Sequence, residues 1–297
     1  MSRILLIDAY SQIYRLFYAI RQLTSAKGEP ANALFGMARL FLQLDAEFPT
    51  EYGALVFDKG KCTRRCGILP EYKAQRPPMP DELRCQTGRI REWAQAFGWA
   101  TIEREGFEAD DLLAGIASQR QDNSVLILTG DKDLGQLVKN GQVSLLKPGN
   151  AKTPWEEQDE AAVTAKFGVA PAQICDYLSL LGDSVDNIPG IPGCGPKTAA
   201  KLLNDFGSID NILAQLGTMP KSKLQETLTA EKEHLLKNRE LVRLDYALPE
   251  EWQGLDTVKR NRPDWQKLLA LCAEEGFNAI AAEIRKRSAP QQQFFDF

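Results

Sequence analysis

Ile4-Leu5-Leu6-Ile7-Asp8 is an unbroken apolar run closed by one carboxylate. A short apolar run bounded by polar residues reads as a strand buried on both faces. Ala54-Leu55-Val56-Phe57 is closed the same way by Asp58, and Val125-Leu126-Ile127-Leu128 is followed by Asp131 and Asp133. A fourth run spans Val143–Leu146, and helical patterns lie at Asn32–Leu44, Asp81–Phe97 and Asp133–Val138. Alternation of this kind predicts an α/β unit over residues 1–165, built on a doubly wound parallel sheet with helices on both faces. From about residue 160 the strand signal stops. Short helices are expected at Ala161–Phe167, Pro171–Leu181, Pro196–Phe206 and Ile209–Leu216, then near Leu224–Leu241 and Trp265–Arg287. Residues 166–287 therefore read as a small helical domain, and 288–297 as a flexible tail after Pro290.

Composition narrows the chemistry. The chain has 297 residues, 43% of them hydrophobic, and a formal net charge of −4. Its six cysteines form no C-x-x-C pair and His234 is the single histidine. Zinc ligation and histidine-dependent nucleophilic catalysis are thus unsupported, and reduced thiols of a cytosolic protein are expected. No signal-peptide pattern precedes the first strand, and no apolar run approaches membrane-spanning length.

Nine acids are placed where such a sheet would gather them: Asp8, Asp58, Glu108, Asp110, Asp111, Asp131, Asp133, Asp183 and Asp186. Ligands collect at the carboxyl ends of strands in open parallel sheets. Each acid alone also has a structural reading, as a helix cap or a turn residue. Together they would repel one another in one crevice unless cations held them, and oxygen-only donors suit Mg2+ or Mn2+. Two such ions would supply four positive charges, offsetting the net charge of −4. Two cations also stabilise the attacking and leaving oxygens of an in-line displacement at phosphorus, so metal-dependent phosphate chemistry is expected.

Two further features point to a nucleic-acid backbone. Gly190-Ile-Pro-Gly193-Cys-Gly195-Pro196-Lys197-Thr198 lies between two helices. Its glycines permit close backbone approach, and the free N–H groups of the following helix, with Lys197, can hold a phosphate. The segment Lys59–Arg76 carries Lys59, Lys61, Arg64, Arg65, Lys73 and Arg76 against Glu71 alone, with Tyr72 among them. Basic residues with an aromatic beside a metal site suit phosphates and a stacked unpaired base. Arg15, beside Tyr14, is expected to face the same crevice from one or two helical turns past Asp8.

Taken together these stretches resemble the 5′-nuclease family, the flap endonucleases and the N-terminal nuclease domain of bacterial DNA polymerase I. The resemblance runs through Leu5–Ala9 with Tyr14-Arg15, Val56–Asp58, Tyr72–Pro80, Gly106–Leu112, Thr129–Leu134 and Gly182–Ala200, covering about residues 1–285. It implies a PIN-like domain with a helical arch near 59–92, followed by a SAM-like helix-three-turn-helix region. It further implies one metal site at Asp8, Asp58, Glu108 and Asp110, and another at Asp131, Asp133, Asp183 and Asp186 with Asp111 nearby. By the same resemblance Lys73 and Arg76 steer the scissile phosphate, Tyr14 and Arg15 lie near the cleaved strand, and a potassium ion sits in the glycine turn.

The departures are Arg64, where members often carry Phe, and Gly67 in the arch. With no polymerase following Phe297, a stand-alone monomeric nuclease is expected, cytoplasmic, bacterial and nucleoid-associated during repair or replication. Gln291–Phe297 resembles short terminal motifs that dock onto sliding clamps. The alternatives are a PIN-type ribonuclease, which would not need the glycine turn, and a non-catalytic DNA-junction module, which would not need the full acid set.

Overall fold

The computed structural model describes residues 2–149 and 153–289; the clamp-like tail lies outside them. Six strands, β1 Arg3–Asp8, β2 Tyr52–Val56, β3 Ala100–Ile102, β4 Ser124–Leu128, β5 Val143–Pro148 and β6 Trp155–Gln158, form one sheet in the order 3-2-1-4-5-6. All neighbours run parallel except β6, which pairs antiparallel with β5. β1 is buried from Ile4 onward and splits its side chains: Ile4 and Leu6 join one core, Leu5 and Ile7 the other. That is the period of two expected of a sheet covered on both faces. Chain order reverses at β1, with β2 on one side and β4 on the other. This switch point opens a crevice at the carboxyl ends of the strands.

One face is covered by α1 Ala9–Ala19, α2 Asn32–Glu47 and α4 Asp81–Ala96. The other carries α5 Ala109–Ser118 and the helical region: α6 Glu160–Phe167, α7 Ile174–Leu181, α8 Pro196–Phe206, α9 Ile209–Gln215, α10 Lys223–Ala230 and α11 Lys232–Val242. The short α3, Thr63–Ile68, carries the departures noted in the arch.

The last two helices depart from the expected division. α12 Trp265–Glu275 and α13 Asn278–Ser288, parted at Gly276 (φ +75°), pack Leu268, Cys272, Phe277 and Ile284 into the α2–α4 core. Residues 166–287 are therefore not one helical unit, because the chain returns to the sheet domain after 264. β3 and β6 were not foreseen; both are edge strands, one of three residues and one bearing Glu156 and Glu157.

Candidate active site

Asp8, Tyr10, Ser11, Tyr14, Asp58, Lys73, Arg76, Glu108, Asp110, Asp131, Lys132, Asp133, Lys166, Asp183 and Asp186 line a crevice of about 840 Å³ at the switch point. Eight of the nine predicted acids are thus brought together.

Backbone geometry shows how. Asp8 ends β1 and also caps α1, accepting the Ser11 N–H at 3.2 Å. Asp58 accepts the Ala109 N–H at 3.0 Å, at the start of α5. Asp131 accepts the Asp133 N–H at 2.8 Å. Capping and ligation are therefore not exclusive: an ionised carboxylate accepts about four hydrogen bonds, so one bond to a helix start leaves lone pairs free. Thr129, fully buried, donates to Asp8 Oδ2 at 2.8 Å and accepts the Asp131 N–H at 2.9 Å, tying two acids together. Nothing in the sequence beyond its place before Gly130-Asp131 marked it.

The acids fall into two electrostatic groups. Asp8, Asp58, Asp110 and Asp131 have no Lys or Arg bonded to them among the described residues. Burial first, then the Asp58 charge, pushes Asp8 up to about 7. Burial also raises Asp58, and burial with the charges of Asp131, Asp8 and Asp58 drives Asp110 well above the usual carboxylate range. Asp133 is pushed up to about 7 by burial and by Asp131. Its Oδ1 is buried without a hydrogen bond, the Lys132 ammonium lying 3.5 Å away.

The second group is braced. Lys73 bonds Glu108, Arg76 bonds Asp186 and Lys132 bonds Asp183. Burial opposes the charge on Lys73, but Glu108 and Asp186 more than reverse it and hold the amine above its usual range. Asp183 lies below its usual range because Lys132 and two backbone N–H groups outweigh its burial. Lys73 has φ +56°, a strained conformation held by its N–H to the Asp186 carbonyl at 3.1 Å. Asn187 also bonds the Glu71 carbonyl at 3.0 Å, lacing the 71–76 loop to the 183–187 loop. Lys132 and Lys166 were not singled out from sequence.

Three expectations are corrected. Asp111 does not line the crevice: the Arg65 guanidinium grips it at 2.6 and 2.8 Å, and the Asp245 N–H bonds it at 2.9 Å. Arg65 also reaches Glu108 at 2.5 Å and the Leu241 carbonyl at 2.8 Å. Among the described residues, Cys62, Glu108 and Asp111 are the one trio whose ligand atoms gather within 4.8 Å, and this guanidinium bonds all three. Arg15 turns away from the crevice to Gln12 at 3.0 Å and lines a separate cleft with Arg39 and Arg287. Tyr72 is no free stacking face: it is buried, its hydroxyl 3.1 Å from both Glu108 Oε2 and Asp186 Oδ2.

The basic segment divides accordingly. Lys59 pairs with Glu103, Arg64 bonds the Glu240 and Arg243 carbonyls at 2.5 Å, and Arg65 is buried. Lys73 and Arg76 alone of the six reach the crevice. Arg64 thus staples α3 to the end of α11, while Gly67 meets open space.

In the glycine turn, a Cβ on Gly190 would lie 1.9 Å from the Leu181 carbonyl, so close backbone packing requires that glycine. Gly193 (φ +79°) and Gly195 face open space, and Gly195 precedes Pro196 at the first position of α8 with Lys197 exposed.

Comparison with known proteins decides the family. A model described as the 5′-3′ exonuclease N-terminal resolvase-like domain matches residues 3–168, and one described as its C-terminal SAM fold matches 169–266. The chain belongs to the 5′-3′ exonuclease family. It is 37% identical to the 5′-3′ exonuclease of Aquifex aeolicus, covering 99% of this chain and 100% of that one. It is 35% identical to DNA polymerase I of Bacillus caldotenax over 98% of this chain but spans only 33% of that protein. T5 5′-exonuclease with bound zinc superposes with a TM-score of 0.66 at 21% identity, covering 96% of this chain and 97% of that chain. The catalytic core of Rad2 in complex with DNA substrate does so at 0.65 and 17%, covering 96% and 91%. At these identities the last two speak for the fold.

Proposed function

We propose that this nuclease cuts phosphodiester bonds at 5′ flaps and in nicked or gapped duplex DNA, using two Mg2+ or Mn2+ ions. The observation that carries this reading is the unbraced set of acids. Four aspartates at one switch point without basic partners, and a buried carboxylate oxygen without a hydrogen bond, fit hard divalent cations. Asp8, Asp58, Glu108 and Asp110 would hold one ion, and Asp131, Asp133, Asp183 and Asp186 the other. When bound, the ions supply stabilisation of the entering and departing oxygens of an in-line displacement. Lys73 and Arg76 exchange Glu108 and Asp186 for the scissile phosphate and orient it, with Tyr14 beside the cleaved strand. The N–H groups at the start of α8, with Gly193, Gly195, Lys197 and Thr198, grip duplex backbone, and a potassium ion in that turn would strengthen the grip. Recruitment by a sliding clamp through Gln291–Phe297 belongs to the same reading.

Incubation with Mg2+ and a 5′-labelled DNA flap, an RNA hairpin and plain single strands tests it. Cleavage at the flap junction is expected. Cleavage of RNA alone would favour the ribonuclease reading, and cleavage of nothing the binding-module reading.

A further inference from the structure

We propose that Tyr18 extends the crevice outward as a stacking surface for an unpaired base of the strand being cut, an inference that rests on the nuclease reading of that crevice. α1 carries Tyr10, Tyr14 and Tyr18 at four-residue intervals, so the rings share one helical face. Tyr10 is anchored edge-on against buried Phe57 at 5.6 Å. Tyr14 follows at 6.4 Å from Tyr10, and both line the crevice. Tyr18 lies a further 6.4 Å from Tyr14 with its ring only 22° from parallel.

Burial separates the last ring from the first two. Tyr18 is 71% exposed, and among the described residues only Val185 and Tyr246 are other large exposed hydrophobics. Val185 also lines the crevice. Phe17 packs edge-on against Tyr18 at 5.1 Å, giving the ring a fixed neighbour without covering it. The guanidinium groups of Arg76 and Arg84 lie near enough to Tyr14 for their charges to act on its hydroxyl. One exposed aromatic face at the end of a row of rings, leading past cations into a site for phosphates, matches unpaired nucleotides. Bases flanked on both sides within a duplex do not offer their faces to a side chain in this way.

The test uses full-length protein and flaps carrying 2-aminopurine at successive positions of the unpaired 5′ arm, with Ca2+ in place of Mg2+ so that binding is read without cleavage. Quenching at one position is expected in wild type and in Tyr18→Phe, and its loss in Tyr18→Ala, with about tenfold weaker flap binding. An abasic residue at that position should weaken wild type by the same factor and leave Tyr18→Ala unaffected. Equal binding and quenching by wild type and Tyr18→Ala would overturn the inference, as would an equal loss on the abasic flap. A wild type that cuts no DNA in Mg2+ would instead overturn the nuclease reading, and the quenching comparison would still decide Tyr18.

Discussion

Asp8, Asp58, Asp110 and Asp131 share a crevice with Glu108, Asp183 and Asp186, yet only the latter three are bonded by Lys73, Arg76 or Lys132. Burial raises the pKa of Asp8, Asp58 and Asp110, whereas Lys132 holds that of Asp183 below its usual range. The difference teaches where external charge is needed. The braced acids already have their cations and serve also to hold Lys73 and Arg76 in place. The unbraced ones have no bonded cation among the described residues and gain most from an external counter-ion.

The largest expected effect follows from removing an unbraced acid. Asp131→Asn should lower single-turnover flap cleavage by about a thousandfold or more, since metal stabilisation is worth several kcal/mol and each 1.36 kcal/mol is tenfold. DNA affinity in a filter-binding assay should largely persist. Asp183→Asn should cost less, about ten- to a hundredfold, as for loss of a group that orients a site. Equal losses would break the distinction between the two groups.

Arg65→Met leaves Asp111 buried without its cation and Glu108 with Lys73 alone, and should destabilise the fold by about 3–5 kcal/mol in urea denaturation. Arg64→Ala, removing a half-buried staple to carbonyls, should cost only about 1 kcal/mol. Lys73→Ala should slow cleavage by about a hundredfold while duplex affinity falls by only a few fold, because Lys73 acts at the scissile phosphate. A matching loss of duplex affinity, seen in a binding titration, would move Lys73 to the grip.

The metal-free protein should also depend on pH. Folding raises Asp8 and Asp133 from 3.8 to about 7, so it favours their protonated forms. That stability is fully present below about pH 4 and is lost as pH rises through about 7. The Tm of metal-free protein should therefore fall between pH 5 and pH 8, by roughly 2–4 °C per kcal/mol lost, and Mg2+ should restore it most at pH 8. A Tm that rises over that range would show that the unbraced acids do not dominate the titration. Asp183, lowered by Lys132, acts in the opposite sense.

The central strands were legible because burial on both faces leaves runs with no polar interruption, as in Ile4–Ile7 and Val125–Leu128. The edge strands were not: Ala100–Ile102 is short, and Trp155–Gln158 keeps Glu156 and Glu157 exposed. Six crevice acids could be found since strand ends and one helix start fix their positions through local chain geometry, while Asp183 and Asp186 sit in the loop that follows α7. What stayed hidden rests on pairings far apart in sequence. Arg65 meets Asp111 across 46 residues and the Leu241 carbonyl across 176, so a basic run that reads as a solvated or DNA-facing loop turns inward. Arg15 and Tyr14 are adjacent in sequence, but a helix sends neighbours about 100° apart, so one faces the crevice and the other a different cleft. The Trp265–Ser288 helices carry an apolar face that fits a helical domain as well as it fits the α2–α4 layer, and only the fold chooses.

Manganese binding measured by electron paramagnetic resonance, at pH 8 and without DNA, tests the central claim most directly. Two ions per chain in wild type, with at least one lost in Asp131→Asn, is the predicted result. No binding at millimolar Mn2+, or identical binding by the two proteins, would contradict it.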